Sequence, residues 1–197
     1  MRIGLFFGSF NPIHCGHLML AEGVLNETDI EQIWFVVTPQ NPQKKKSALL
    51  NDYDRLNMVR EAIHENLRFR ASDIEFGLEQ PNYTAKTLVY LKEKYPHHAF
   101  SLLVGEDNLR NLNSWYNVEY IFANYRIIVY PRSVQENEAL IDVVLPQHAK
   151  IQVLKQVVVL PLSSSMIRSL IKDKRSVKYL VPESIERMIH ERGFYRD

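Results

Sequence analysis

Five short runs set the frame for this chain: Arg2–Phe7, Gln32–Thr38, Phe100–Val104, Arg126–Tyr130 and Ile151–Leu160. Each is rich in β-branched and aromatic residues, and most are apolar throughout rather than alternating. A strand with one wet face alternates with a period of two, whereas a continuously apolar strand is covered on both faces. Between the runs lie segments with helical spacing. Gly16–Leu25 is one, and Asn51–Glu65, with Leu56, Val59 and Ile63 on one side, is another. Tyr83–Lys94 places Leu88 and Leu91 together and stops before Pro96. Asn108–Phe122 reads as one or two shorter helices, and Ser164–Lys172 and Pro182–Arg192 follow, with Pro182 in a first turn and Gly193 as the stop.

Strand and helix in alternation imply right-handed crossovers. The expected fold is α/β: a Rossmann-like, doubly wound, mainly parallel sheet with helices on both faces. Residues 1–161 form the expected core, and 162–197 a small helical appendage to the same domain. In such sheets ligands bind beyond the carboxyl ends of the strands. That directs attention to the loops after Phe7, Thr38, Val104, Tyr130 and Leu160.

Composition narrows the setting. The chain has 197 residues, 46% of them hydrophobic, enough to bury a sizeable core. Its net charge of +1, from 24 basic and 23 acidic residues, argues against a nucleic-acid partner. The single cysteine, Cys15, rules out an intrachain disulfide and fits a reducing compartment. The apolar start ends at Gly8, too early for a signal-peptide core or a membrane span. The expectation is a cytoplasmic protein with no membrane partner.

Four loops carry chemistry. The first reads Gly8-Ser9-Phe10-Asn11-Pro12-Ile13-His14-Cys15-Gly16-His17. A glycine at a strand end lets the backbone turn sharply and approach a ligand. The helix that follows points amide groups and the positive end of its dipole at the same crevice, a place for phosphate. His14 and His17, three residues apart, share one side of that first turn. Two readings stand: the histidines donate to phosphate oxygens, or they only cap and satisfy a turn. A metal site through Cys15 lacks partner ligands elsewhere in the chain. Neither G-x-x-x-x-G-K-[ST] nor G-x-G-x-x-G occurs.

The second loop reads Leu162-Ser163-Ser164-Ser165-Met166-Ile167-Arg168. Its hydroxyls, amides and guanidinium either converge on an anion or form an ordinary capped helix. The third, Gly105-Glu106-Asp107, offers a carboxylate for a ribose hydroxyl or an N-cap, and Trp115 and Tyr116 after it suit either a core or a flat heterocycle. The fourth, Pro39–Lys46, holds Lys44-Lys45-Lys46, a solvated run or a source of point charge for phosphate, and the longer loop Thr38–Leu50 around it is the one expected to close over substrate.

Taken together, the first two motifs resemble the nucleotidyltransferases marked by G-x-F-x-P-x-H-x-G-H near the N-terminus and I-S-S-T-x-I-R near the C-terminus. Within them the chain is most similar to the bacterial nicotinate-nucleotide adenylyltransferases. Pro81-Asn82-Tyr83-Thr84, Gly105-Glu106-Asp107, Leu112 to Trp115, Arg132 and Tyr179-Leu180-Val181-Pro182 stand in the family's order. Ser9 and Ser165 replace threonine and Leu162 replaces isoleucine, keeping chemical character. Pro42-Gln43-Lys44 replaces a proline–histidine–lysine sequence, which leaves Lys44 and Lys45 as rivals for one role.

The resemblance implies adenylyl transfer from ATP, with Mg²⁺, to nicotinate mononucleotide, a step of NAD biosynthesis. It implies that His14, His17, Lys44, Ser164 and Arg168 carry the catalysis. Gly8, Ser9, Phe10, Gly16, Ser163, Ser165, Gly105 and Asp107 would help to bind ATP. Asn11, Thr84, Trp115, Tyr116 and Arg132, again with Lys44, would bind the mononucleotide. The metal is expected to arrive with ATP, and a homo-oligomer is left open. The rival readings are transfer to nicotinamide mononucleotide, to phosphopantetheine, or cytidylyl transfer; from another class, a nucleotide-binding regulator without catalysis.

Overall fold

The computed structural model describes residues 1–40, 49–131 and 145–196. Lys44, Lys45 and Arg132 lie outside the described residues, as does most of the loop expected to close over substrate.

Six strands form one sheet: β1 (Arg2–Gly8), β2 (Gln32–Val37), β3 (Phe69–Ser72), β4 (Ala99–Gly105), β5 (Arg126–Tyr130) and β6 (Lys150–Val153). Their order is β3-β2-β1-β4-β5-β6, with every neighbouring pair parallel. This is the doubly wound arrangement expected from the sequence. The chain winds outward in one direction from β1 and in the other from β4. The loops leaving β1 and β4 therefore part, and a crevice opens between them.

The helices are α1 (Cys15–Glu27), α2 (Asp52–Ile63), α3 (Thr84–Lys94), α4 (Glu106–Arg110), α5 (Val118–Asn124), α6 (Ser164–Lys172) and α7 (Glu183–Arg192). Alternate strand residues face opposite layers. Ile33, Phe35 and Val37 of β2 join Leu20 and Val24 of α1 and Leu56 and Val59 of α2. Trp34 and Val36 face the other way, toward Leu88 and Leu91 of α3 and Phe122 of α5. Both faces of the sheet are thus dry, which is why these runs are apolar throughout. Ile167 of α6 and Ile185 and Ile189 of α7 enter the same core as α1 and α2.

Several boundaries differ from expectation. β3 was not anticipated. Its four residues are mostly half-buried or exposed, and it closes one edge of the sheet, so it lacks an apolar signature. The run Ile151–Leu160 is a strand only through Val153. Leu154 still donates to the Val129 carbonyl at 2.8 Å. The next two amides, Lys155 and Gln156, instead reach the Glu27 carboxylate at the end of α1, at 3.1–3.2 Å. The run then crosses α1, where a Cβ on Gly23 would sit 2.8 Å from Val157 Cγ1. Its apolar character serves packing on α1 rather than sheet pairing. Asn108–Phe122 resolves into α4, a 3₁₀ turn over Leu112–Ser114, and α5. Pro182 is the N-cap of α7, one residue outside the helix, and Gly193 ends it in the left-handed region at φ 66°.

Candidate active site

At the end of β1 the backbone has no room for a side chain on Gly8, whose Cβ would lie 2.8–3.1 Å from the Phe10 ring. The chain turns there and buries Phe10 against Phe6, Phe35 and His17. Phe10 adopts φ 44°, a left-handed conformation that costs a non-glycine residue about 1–3 kcal/mol. Remote groups hold the turn in that shape. Arg55 of α2, with 0% exposure, donates to the Ser9 carbonyl at 2.5 Å and to the Thr38 carbonyl at 3.0 Å. It thereby joins the loops after β1 and β2, while Asp52 neutralises it at 2.5 Å. From α6, Ser164 Oγ donates to the Pro12 carbonyl at 2.8 Å and Arg168 to the Asn11 carbonyl at 2.9 Å.

The turn ends at His14, which caps α1 with extended backbone. Its N–H donates to His17 Nδ1 at 3.2 Å, and the two rings stack at 3.6 Å. An Nδ1 that accepts carries no proton, so the proton of neutral His17 resides on Nε2, which is then a donor. His14 is buried, and burial pushes its pKa down from 6.5 to about 4. It is therefore neutral at physiological pH. Its Nδ1 is buried and has no hydrogen-bond partner. Gly16 makes this packing possible, since a Cβ there would come within 3.1 Å of that nitrogen.

Two cavities open from the β1–β4 crevice, and both are lined by Gly8, Ser9, Asn108 and Tyr130. The first, of about 260 Å³, has Thr84 at the start of α3 and Trp115 and Tyr116 beyond the 3₁₀ turn in its wall. Trp115 Nε1 is buried without a partner. Glu75, 1% exposed, also lines it; Thr87 donates to its Oε1 at 2.7 Å, and burial raises its pKa. Asn82 braces this wall, donating to the Glu75 carbonyl and accepting from Gln40 N–H.

The second cavity, of about 370 Å³, holds Phe10, His14, Gly16 and His17 on one side. Ser163, Ser164, Ser165 and Arg168 stand on the other, with Ser163 Oγ capping α6 by accepting from Met166 N–H at 3.1 Å. Arg168 also donates to Ser165 Oγ at 3.3 Å. Pro131, Val158, Val159 and Leu160 supply an apolar end. Two stretches 150 residues apart in sequence thus face each other across one space.

The match to known proteins follows this geometry. Residues 5–170 fit the model of the cytidylyltransferase-like family. A Flavobacterium johnsoniae protein named probable nicotinate-nucleotide adenylyltransferase is 48% identical over 196 residues, covering 100% of both chains. One of the same name from Cytophaga hutchinsonii is 46% identical over 195 residues, covering 99% of this chain and 98% of its own. This chain belongs to the nicotinate-nucleotide adenylyltransferase family. The fold agrees: the Plasmodium falciparum nicotinic acid mononucleotide adenylyltransferase complexed with NaAD superposes with a TM-score of 0.79 at 22% identity, covering 98% of this chain and 97% of its own.

Within this nicotinate-nucleotide adenylyltransferase fold, most residues singled out in the sequence face one of the two cavities. Three do not. Gly105 and Asp107 line neither, and Asn108, one residue further into α4, lines both. Asn11 is fully buried behind the turn, where its Oδ1 accepts from Leu50 N–H at 3.2 Å and from the Tyr195 hydroxyl at 2.9 Å. Sequence reading missed Arg55, Glu75, Tyr130 and Tyr195, and quoted Asn82 within its motif without giving it a role. Arg55 did leave a trace, since it sits beside Leu56 and one turn before Val59 on the apolar stripe of α2.

Proposed function

We propose that the protein transfers the adenylyl group of ATP to nicotinate mononucleotide, yielding nicotinate adenine dinucleotide and pyrophosphate. The observation that carries this reading is the pair of cavities meeting at Gly8 and Ser9. One has an aromatic, hydrogen-bonding wall suited to a pyridine nucleoside; the other has a donor-rich wall suited to a triphosphate and an apolar end suited to adenine.

The mononucleotide phosphate is already ionised and needs no general base. One of its oxygens attacks the α-phosphorus in line, a P–O bond forms, and the α–β bridging P–O bond breaks. Pyrophosphate leaves with the electron pair. The protein aligns the two phosphates where the cavities meet and stabilises charge on the leaving group. His17 donates from Nε2 to that group, and neutral His14, packed beneath it, fixes its ring. Ser164, Ser165, Arg168 and Lys44 serve the β- and γ-phosphates. Arg168 and Ser164 also keep their bonds to the turn, so the anion-binding wall and the histidines move as one piece. Thr84, Trp115 and Tyr116 take the pyridine ring, Gly105 and Asp107 serve the adenosine side, and Asn108, which lines both cavities, is a further candidate for either substrate. ATP enters as its magnesium complex. In this reading the triphosphate oxygens carry the ion.

The test is pyrophosphate release with ATP and Mg²⁺, offering nicotinate mononucleotide, nicotinamide mononucleotide and phosphopantetheine separately, with products identified by mass. Release with the nicotinate compound, well above the amide, is expected. Release with phosphopantetheine alone overturns the substrate; release with none leaves a binding protein.

A further inference from the structure

The turn between β1 and α1 is held by three groups already described, Arg55, Ser164 and Arg168. A fourth comes from the segment after α7 and has no part in the reaction as written. Tyr195 donates its hydroxyl to Asn11 Oδ1 at 2.9 Å, the same oxygen that accepts from Leu50 N–H. Asn11 has 0% exposure, and its own carbonyl carries Arg168. Tyr195, like Phe10, has a left-handed backbone, φ 63° against 44°. Non-glycine residues persist there when surrounding contacts over-determine them. The Tyr195–Asn11 bond is one such contact, and it joins one strained residue to the neighbour of the other. Burial pushes the pKa of the phenol up, and the charges of Arg168, Arg55 and Asp54 act on it.

We propose that Tyr195 is a positioning residue for the transfer: through Asn11 it sets the Gly8–His14 turn, and with it Arg168 and the two histidines, against the triphosphate. Losing the hydroxyl removes one of the bonds on Asn11 Oδ1, beside that from Leu50 N–H, and loosens the residue whose carbonyl anchors Arg168. The second cavity, which holds His14, His17 and Arg168, is affected most; the first meets the turn only at Gly8 and Ser9. This rests on the adenylyl transfer proposed above, so binding is measured beside turnover.

Tyr195→Phe keeps the ring and removes the bond. Its kcat is expected to fall roughly tenfold, a scale set by the sensitivity of transfer to small misplacements. KM for ATP, and the calorimetric Kd of an ATP analogue with a methylene between the α- and β-phosphorus, should rise several-fold. KM for the mononucleotide should move less than KM for ATP. A smaller folded fraction scales kcat without moving KM or Kd, so a fall in kcat alone overturns the proposal, as do unchanged kinetics. Arg192→Ala is the control. It breaks the 3.3 Å pair with Asp54 that ties α7 to α2 and leaves the Tyr195 hydroxyl intact. It should lower the thermal midpoint and leave KM for ATP alone; an equal rise there means general loosening and sinks the idea. If Tyr195→Phe does not fold, a fluorinated tyrosine at 195 makes the donor titratable. KM for ATP should then rise with pH more steeply than in the wild type, and matching profiles overturn the role. A wild type without turnover refutes the reaction, while the analogue Kd still decides the positioning.

Discussion

His14 shows how one buried side chain ties stability to pH. Its imidazole takes a proton near 6.5 when the chain is unfolded and near 4 when folded, because burial disfavours the charged form. The folded chain binds fewer protons across that window, so this contribution is complete above pH 6.5 and is lost as pH falls toward 4. The full loss is about 3 kcal/mol. Urea midpoints at pH 7 and 4.5 should therefore converge in His14→Asn relative to wild type; an unchanged difference refutes the assignment. His17→Ala should behave differently, with kcat down roughly 10²–10³-fold, the scale of one lost donor at a developing charge, and a loss of about 1 kcal/mol in stability for the missing acceptor of His14 N–H. Arg55→Met leaves the Ser9 and Thr38 carbonyls without their donor. It should cost roughly 3–5 kcal/mol by urea denaturation, as for a broken buried ion pair. The histidines were legible because motif spacing is local. Arg55 and Tyr195 were not, because a charged or phenolic residue in a helix or tail looks solvated until the fold shows what it reaches.

Helix α6 separates two serines that look alike in sequence. Ser163 caps the helix, and Ser164, one residue on, faces away from the helix end and bonds the Pro12 carbonyl. Ser163→Ala should lose about 1 kcal/mol of stability, the usual worth of a cap, with modest kinetic effect. Ser164→Ala should lose less stability and more turnover, because it releases the turn beside His14. Equal effects in paired denaturation and kinetic assays would show that both act only as helix caps. The same logic explains which elements were legible. β1, β2, β4 and β5 are buried on both faces and announce themselves by unbroken apolar sequence. β3 and β6 lie at the edges, where few residues are fully buried; β3 carries no apolar signature, and β6 was legible at its start but not at its end. The apolar run after Val153 misled because Val157 fills the gap over Gly23, and a residue that packs on a helix reads the same as one in a strand.

For the whole molecule, the site depends on contacts remote in sequence: α6 and the segment after α7 close on a turn that begins at Gly8. Ligand that binds only this assembled state should stabilise the entire fold. Magnesium-ATP at about one hundred times its Kd should add about 2.7 kcal/mol. At about 2–4 °C per kcal/mol for a chain of this size, the midpoint should rise by roughly 5–10 °C in calorimetry. Arg168→Ala should lose most of that shift; retention of the full shift would place the triphosphate elsewhere.

The two tryptophans lie in contrasting places. Trp34 is 1% exposed beneath the Arg70 guanidinium in the core, whereas Trp115 lines the first cavity. An electron-poor pyridinium settling beside Trp115 would quench its fluorescence, while Trp34 goes on emitting as a fixed background. In the proposed reading Trp115 would then report mononucleotide occupancy optically, a signal that Trp115→Phe would silence without touching the reference.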